Sequence, residues 1–338
     1  MTARLEAARL DPRESLFAIP AQQAGKSLFL RHLGPKASAA RRAVLYLHGA
    51  TFPSALSVAY RFDGQSWRDA LCAAGFSVWG LDFSGFGHSD RYSEMDGSQD
   101  ACLPLGTAQV AAEQVARAAS FILQHEGHAA LSLISHSWGA MPAGRFAGEH
   151  PTLVDRWVLL APITERAPAH ASAAATSAAT APSAMMLAWR LVTAEEQWKR
   201  FVEDVPPGET PVLSRAHFAD WAEQFLASDP ESRGRTPAAV KVPNGPTAEI
   251  ERAHNGRLGY DPSLVEAPIA IVRGAWDHLV TDHDAHGLFE AFVRSPIKRD
   301  IKIGRATHLL HLETARLAVW RESITFLSGD DVAPLHLQ

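Results

Sequence analysis

Cysteine is nearly absent: Cys72 and Cys102 are the only two in 338 residues. They lie far apart and form no metal or redox spacing, so both read as free thiols and a disulfide framework is excluded. No apolar run approaches the length needed to span a bilayer. The opening segment, Met1–Arg13, lacks the apolar stretch of a secretory signal, and the expected location is cytoplasmic. Basic charge is not in excess either, with 32 Lys and Arg against 37 Asp and Glu for a net charge of −5. With the signs interspersed, no broad basic surface is available for nucleic acid. No Gly-x-Gly-x-x-Gly follows a strand-like run and no phosphate loop is present, so no cofactor is expected. Sixteen histidines are numerous, yet no His-x-x-x-His with an adjacent glutamate occurs. His283 and His286, near Asp282 and Asp284, read as a solvated loop or helix start and not as a metal site. No internal repeat is visible, and oligomeric state is not legible. What remains is a chain long enough for a sizeable core, with the 46% hydrophobic content of a soluble globular enzyme.

The most informative stretch is Ser135-His136-Ser137-Trp138-Gly139. It stands where an apolar strand, Ala130–Ile134, runs into a small-residue helix from Ala140 onward. A serine between small residues at a sharp strand-to-helix turn is lifted clear of the sheet edge. The turn strains its backbone, and the small flanks let strand and helix approach closely. Helical amides beyond the turn point to where an oxyanion would form.

The surroundings repeat one theme. Ala43–Leu47 is a buried-strand run ending in His48-Gly49-Ala50-Thr51. Phe76–Leu81 leads into Asp82-Phe83-Ser84-Gly85-Phe86-Gly87-His88-Ser89, and Trp157–Leu160 into Ala161-Pro162. Pro268–Val272 runs into Arg273-Gly274-Ala275-Trp276-Asp277, and Lys298–Ile303 into Gly304-Arg305-Ala306-Thr307-His308. Short apolar strands separated by helix-length segments predict a mostly parallel, doubly wound α/β sheet covered on both faces. Ser15–Pro20 and Leu28–Leu33 read as two opening strands around the Ala24-Gly25-Lys26 turn. Nucleophile, acid and histidine come in the chain order Ser…Asp…His, each just past the carboxyl end of a strand.

On these residues the chain resembles serine-nucleophile enzymes of the α/β-hydrolase fold over Leu28–Pro162 and Asp261–Leu327. The His-Gly turn, the Asp82–Ser89 turn, the serine elbow, Gly-x-x-Asp at Gly274–Asp277 and His308–Glu313 all stand at family-like positions. Two positions depart: Ser135 replaces the elbow's first glycine, and Thr307 stands where a glycine usually precedes the histidine. Neither removes a catalytic group. The resemblance implies Ser137 as nucleophile, His308 as base and then acid, and Asp277 as the group that orients His308. His311 is the rival base; Asp82, Asp282, Asp284 and Glu165 are the rival acids. The backbone amides of Ala50 and Trp138 would form the oxyanion hole, leaving the Trp138 side chain free to wall a pocket. His48 and His136 read as structural. Haloalkane dehalogenases and epoxide hydrolases of this fold carry an aspartate at the nucleophile position, so a serine points to acyl transfer to water from an ester, lactone, thioester or amide.

Residues 164–259 break the strand–helix rhythm and are expected to form a helical lid or cap inserted after strand 6, with 1–163 and 260–338 as the hydrolase core. Ala167–Ala184 offers almost no large side chain to bury. Met185, Met186, Leu187 and Trp189 follow, then Trp198 and Phe201, then Phe218, Trp221, Phe225 and Leu226 at near-helical spacing. Arg233–Pro246, rich in Pro, Gly and Arg, reads as a loop. Thr51, Met185, Met186 and Trp189 are the expected contacts to a small, apolar ester or lactone. Besides an acyltransferase or cyclase that excludes water, two other readings stay open. One is carbon–carbon bond hydrolysis of a dienoate-type ketone, with Arg61, Arg190 or Arg273 as the cation for the substrate carboxylate. The other is a small-molecule receptor on a hydrolase scaffold with little turnover.

Overall fold

The computed structural model describes residues 8–35, 42–100, 103–166 and 187–329. Its main sheet contains β1 (Ser15–Pro20), β2 (Ser27–Leu33), β3 (Ala43–Leu47), β4 (Ser77–Asp82), β5 (Leu131–His136) and β6 (Val154–Leu160). A ribbon of β7 (Trp189–Thr193) and β8 (Ala239–Pro243) follows, and β9 (Ile269–Gly274) and β10 (Lys298–Ile303) complete the sheet. The order is β1-β2-β4-β3-β5-β6-β9-β10; β1, β2 and β4 pair antiparallel, and every pairing from β4 to β10 is parallel.

Period-two alternation explains why the central strands are apolar on both sides. In β3, Leu45 and Leu47 enter one core, whereas Val44 and Tyr46 enter the other. The first core is completed by α2 (Ala108–Glu126) and α3 (Ala140–Glu149), and the second by α1 (Trp67–Ala73) and α8 (Arg316–Ser328). At the edge, β10 departs from the apolar expectation: Lys298, Arg299, Asp300 and Lys302 blunt a strand with one free side. The chain passes from β3 to β4 on one side of the sheet and reaches β5 on the other. Beyond the carboxyl ends of β3 and β5 therefore lies the topological switch point, where open α/β sheets bind ligands.

Between β6 and β9 the chain leaves the sheet. The described part of this insertion holds the antiparallel β7–β8 ribbon with helices α4 (Ala194–Val202), α5 (Arg215–Ala227) and α6 (Gly245–Ala253). Helix α7 (Asp282–Ala291) follows β9. The loop expected over Arg233–Pro246 is corrected here, because it contains β8 and the start of α6. Ala-Val-Lys-Val-Pro is too short to read as a strand without its partner, and that partner lies across two intervening helices. Aromatic packing holds α4 and α5: Trp221 stacks on Phe225 at 5.3 Å and meets Phe201 at 5.1 Å. The Ala-rich tract Ala167–Ala184, Met185, Met186 and Cys102 lie outside the described residues. Among the described residues no helix is long and apolar enough to cross a membrane.

Candidate active site

Strand β5 extends two residues beyond the expected end, so Ser135 and His136 are strand residues and Ser137 is the first past it. Ser137 has φ of +55°, a left-handed conformation that a serine adopts only when its surroundings impose it. Gly139 supplies part of that constraint: a Cβ there would lie 2.5 Å from the His48 carbonyl oxygen and 2.8 Å from that of Leu47. Only glycine lets the elbow seat against the end of β3. A Cβ at Gly274 would meet the Ala306 and Thr307 carbonyls at 2.3 and 2.5 Å, which presses the end of β9 against the loop carrying His308.

These close approaches bring three of the expected residues together. His308 Nε2 lies 2.8 Å from Ser137 Oγ, and its Nδ1 lies 2.9 Å from Asp277 Oδ2. The other Asp277 oxygen accepts the Leu279 amide at 2.9 Å. All three side chains are buried. Burial works against the Asp277 charge, but His308, the Leu279 amide and more distant Arg200 hold the carboxyl below the usual carboxylate range. Neither the amide of Ala50 nor that of Trp138 has a hydrogen-bond acceptor among the described residues. A Cβ at Gly49 would lie 3.3 Å from that of Ser137, so the turn carrying Ala50 abuts the serine.

The rival groups are engaged elsewhere. His311 Nε2 lies 2.8 Å from Ser57 Oγ, and burial lowers its pKa to about 3. Asp82 accepts the Ser54 amide and hydroxyl at 3.0 and 2.6 Å and the His88 amide at 3.1 Å. Asp282 pairs with Arg273 and Lys302 at the surface, Asp284 caps α7 and pairs with Arg166, and Glu165 is exposed. His48 accepts the Phe83 amide at 3.1 Å and joins the ends of β3 and β4. His136 faces inward, donating from Nε2 to the His308 carbonyl at 3.1 Å. Burial, reinforced by neighbouring histidines, pushes its pKa well down, so it stays neutral.

Both departures from glycine acquire a reason. Ser135 Oγ accepts the indole N–H of Trp157 at 2.8 Å. Thr307 donates its amide to Glu313 at 3.0 Å, and its hydroxyl donates to the same carboxylate. The Trp138 side chain corrects another expectation. Its indole is fully buried, edge-on to Phe83, and donates to Glu249 at 2.9 Å, so it packs inside instead of walling an open pocket. Thr51 is half-buried beside Ala50. Trp189 lies on β7 with its ring facing Lys241 Nζ at 4.2 Å. Of the three arginines considered for a substrate carboxylate, Arg61 pairs with Asp11 and Asp69 and Arg273 with Asp282 and Asp300. Arg190 is half-buried on β7.

Sequence reasoning missed how the insertion reaches this site. Trp221 donates its indole N–H to the Leu56 carbonyl at 3.0 Å and packs edge-on to Phe52, beyond the Ala50 turn. Asp204, bonded to Arg200, lies 3.2 Å from His278 beside Asp277. The Thr314 amide donates to the Val212 carbonyl at 3.0 Å in the loop after His308. Glu249 reaches the elbow. Four of the strand-end turns are thus tied to the insertion by contacts between residues remote in sequence, and no local pattern signals such pairs.

A family model described as alpha/beta hydrolase fold matches residues 42–315. A bacterial membrane phospholipase A superposes with a TM-score of 0.62 at 18% identity, covering 98% of this chain and 90% of that one. A carboxylesterase structure from the thaumarchaeon Nitrososphaera gargenis gives 0.61 at 13% identity, covering 93% and 100%. An epoxide hydrolase from Vigna radiata gives 0.57 at 15% identity, covering 94% and 99%. At these identities the likeness is one of fold, and no curated protein matches the sequence. Because the family match takes in most of the chain, from before β3 to the start of α8, the protein belongs to the alpha/beta hydrolase fold family.

Proposed function

We propose that the protein hydrolyses carboxylic esters or lactones through an acyl-enzyme on Ser137. The observation that carries this reading is His308, held between Ser137 Oγ at 2.8 Å and Asp277 at 2.9 Å. Ser137 Oγ attacks the substrate carbonyl carbon while His308 Nε2 takes its proton. Charge developing on the carbonyl oxygen is met by the free amides of Ala50 and Trp138, which need no reorganisation to receive it. Collapse of the tetrahedral species breaks the carbon–oxygen bond, and His308 returns its proton to the leaving alkoxide. Water then repeats the sequence on the acyl-enzyme, releasing the acid and restoring Ser137. Asp277 stays ionised throughout, holding the tautomer with Nδ1 protonated and stabilising the imidazolium.

Residues 164–259 serve as the lid in this reading. Thr51 and Trp189 are its substrate contacts among the described residues; Met185 and Met186, the other two expected contacts, lie outside them. Carbon–carbon hydrolysis is less well supported, since Arg61 and Arg273 already sit in ion pairs. The test is a panel of short and medium nitrophenyl esters and lactones, run beside a fluorophosphonate label. Wild type should turn over and label at Ser137 alone. Ser137→Ala should retain less than about a thousandth of the turnover while staying folded. Turnover within tenfold of wild type would remove Ser137 from the role, and a wild type that binds but neither turns over nor labels would favour the receptor.

A further inference from the structure

Glu249 on α6 is a buried carboxylate with no cation at ion-pair distance among the described residues. One of its oxygens, Oε2, accepts two N–H donors: the Trp138 indole at 2.9 Å and the Ala108 amide at 2.7 Å. Ala108 opens α2, whose own N-cap residue, Thr107, makes no side-chain cap hydrogen bond. Glu249 therefore caps that helix from another element, and the helix dipole favours its negative end there. Burial pushes the carboxyl pKa up, against these two donors.

Trp138 is the residue next to Ser137, and its indole is fully buried. Tethering the ring at Nε1 restrains the same residue whose main-chain amide has no acceptor among the described residues. We propose that Glu249 is a positioning residue: it fixes Trp138 so that its amide is aimed where the substrate oxyanion forms. This inference rests on the esterase reading above. Among the contacts that tie the insertion to the strand-end turns, this one reaches the elbow itself. Replacing the carboxylate would leave two buried N–H groups without an acceptor, and the indole and α2 would move to find others. Oxyanion donors act through distance and direction, so a small displacement lowers the rate of attack without altering substrate affinity.

The test measures kcat, KM and the rate of Ser137 phosphonylation by a fluorophosphonate, well below each variant's melting temperature. Glu249→Ala should slow turnover and labelling together by about ten- to a hundredfold, with KM within about twofold. Glu249→Gln, which keeps a carbonyl acceptor, should recover to within about threefold of wild type. Trp138→Phe, which removes the indole N–H together with the five-membered part of the buried ring, should reproduce the defect, and the double variant should be no worse than the poorer single one. A Glu249→Ala protein that melts earlier but labels at the wild-type rate overturns the inference, leaving Glu249 a structural cap. So does a double variant whose losses multiply. Should Glu249→Ala not fold, Trp138→Phe decides alone, and labelling at the wild-type rate overturns the proposal. Failure of wild-type Ser137 to label removes the esterase reading and this inference together; normal labelling with an unaffected variant removes this inference only.

Discussion

The strand-end turns and the insertion between β6 and β9 are built by different means. Ser137, Asp277 and His308 each follow a strand by a short turn, and glycines 139 and 274 lack the Cβ that would hold those turns apart. Backbone geometry sets their positions, so the side chains need little else. The insertion has no such sheet beneath it. It is held by aromatic stacking around Trp221 and by polar contacts to the turns. In the proposed reading, one region locates the reacting atoms, and the other covers and braces them. Damage to the first should appear in rate, and damage to the second, the Glu249 contact to the elbow apart, in stability first.

Asp277→Asn gives the largest effect expected of this contrast. It keeps the shape but favours the wrong tautomer of His308, and turnover should fall by about 10⁴-fold with KM little changed. If Asp282→Asn or Glu165→Gln were more damaging under the same assay, the acid would be misassigned. The insertion's counterpart is Trp221→Ala. Losing a fully buried indole, its bond to Leu56 and its contact with Phe52 should destabilise the protein by about 3–5 kcal/mol. Turnover per folded molecule should change far less than in Asp277→Asn; urea denaturation beside active-site titration separates the two quantities. Equal losses of rate in both variants would erase the distinction.

A third prediction uses Glu313, which ties the His308 loop together. Burial pushes its carboxyl up to about 7, against the two Thr307 donors, from an ordinary value of 4.5. Between those values the folded protein binds more protons than the unfolded chain, so this group makes stability fall as pH rises through that window. Glu313→Gln should remove that slope, a relative gain on the order of 2–3 kcal/mol between pH 4.5 and pH 8. Parallel stability profiles for wild type and variant would show that Glu313 is ionised throughout. The smallest effect expected is that of Ser135→Gly, which restores the common elbow residue but leaves the Trp157 indole unpaired. It should cost about 1–2 kcal/mol and leave turnover within about threefold. A much larger loss of turnover would mean that Ser135 also shapes the elbow.

Most of the sheet was legible because alternating and continuous apolar runs report burial directly, and strands β1 and β3 fall at the residues read from the pattern. Ser137, Asp277 and His308 were legible because each is anchored to a strand end in a known chain order. The ribbon within Arg233–Pro246 was not. A five-residue strand flanked by Pro and Gly carries too little periodicity, and its partner, β7, lies many residues earlier. Glu249 and Trp221 were equally silent, since a glutamate or tryptophan on an amphipathic helix looks the same whether it faces solvent, core or site.

The amino-acid sequence by itself determined the doubly wound sheet, the turn that strains Ser137, and the order of the groups that meet there. Each is signalled by the pattern within a strand or one turn. The tertiary structure separated the expected histidine from its rival. His308 and His311 stand three residues apart, yet one bonds to the Ser137 hydroxyl and the other to Ser57. It also decided that the Trp138 indole turns inward to Glu249 and that the hydroxyls replacing two glycines find partners. Those outcomes depend on which side chains from distant segments fill the same volume, and burial makes every unpaired polar atom costly enough to select one arrangement.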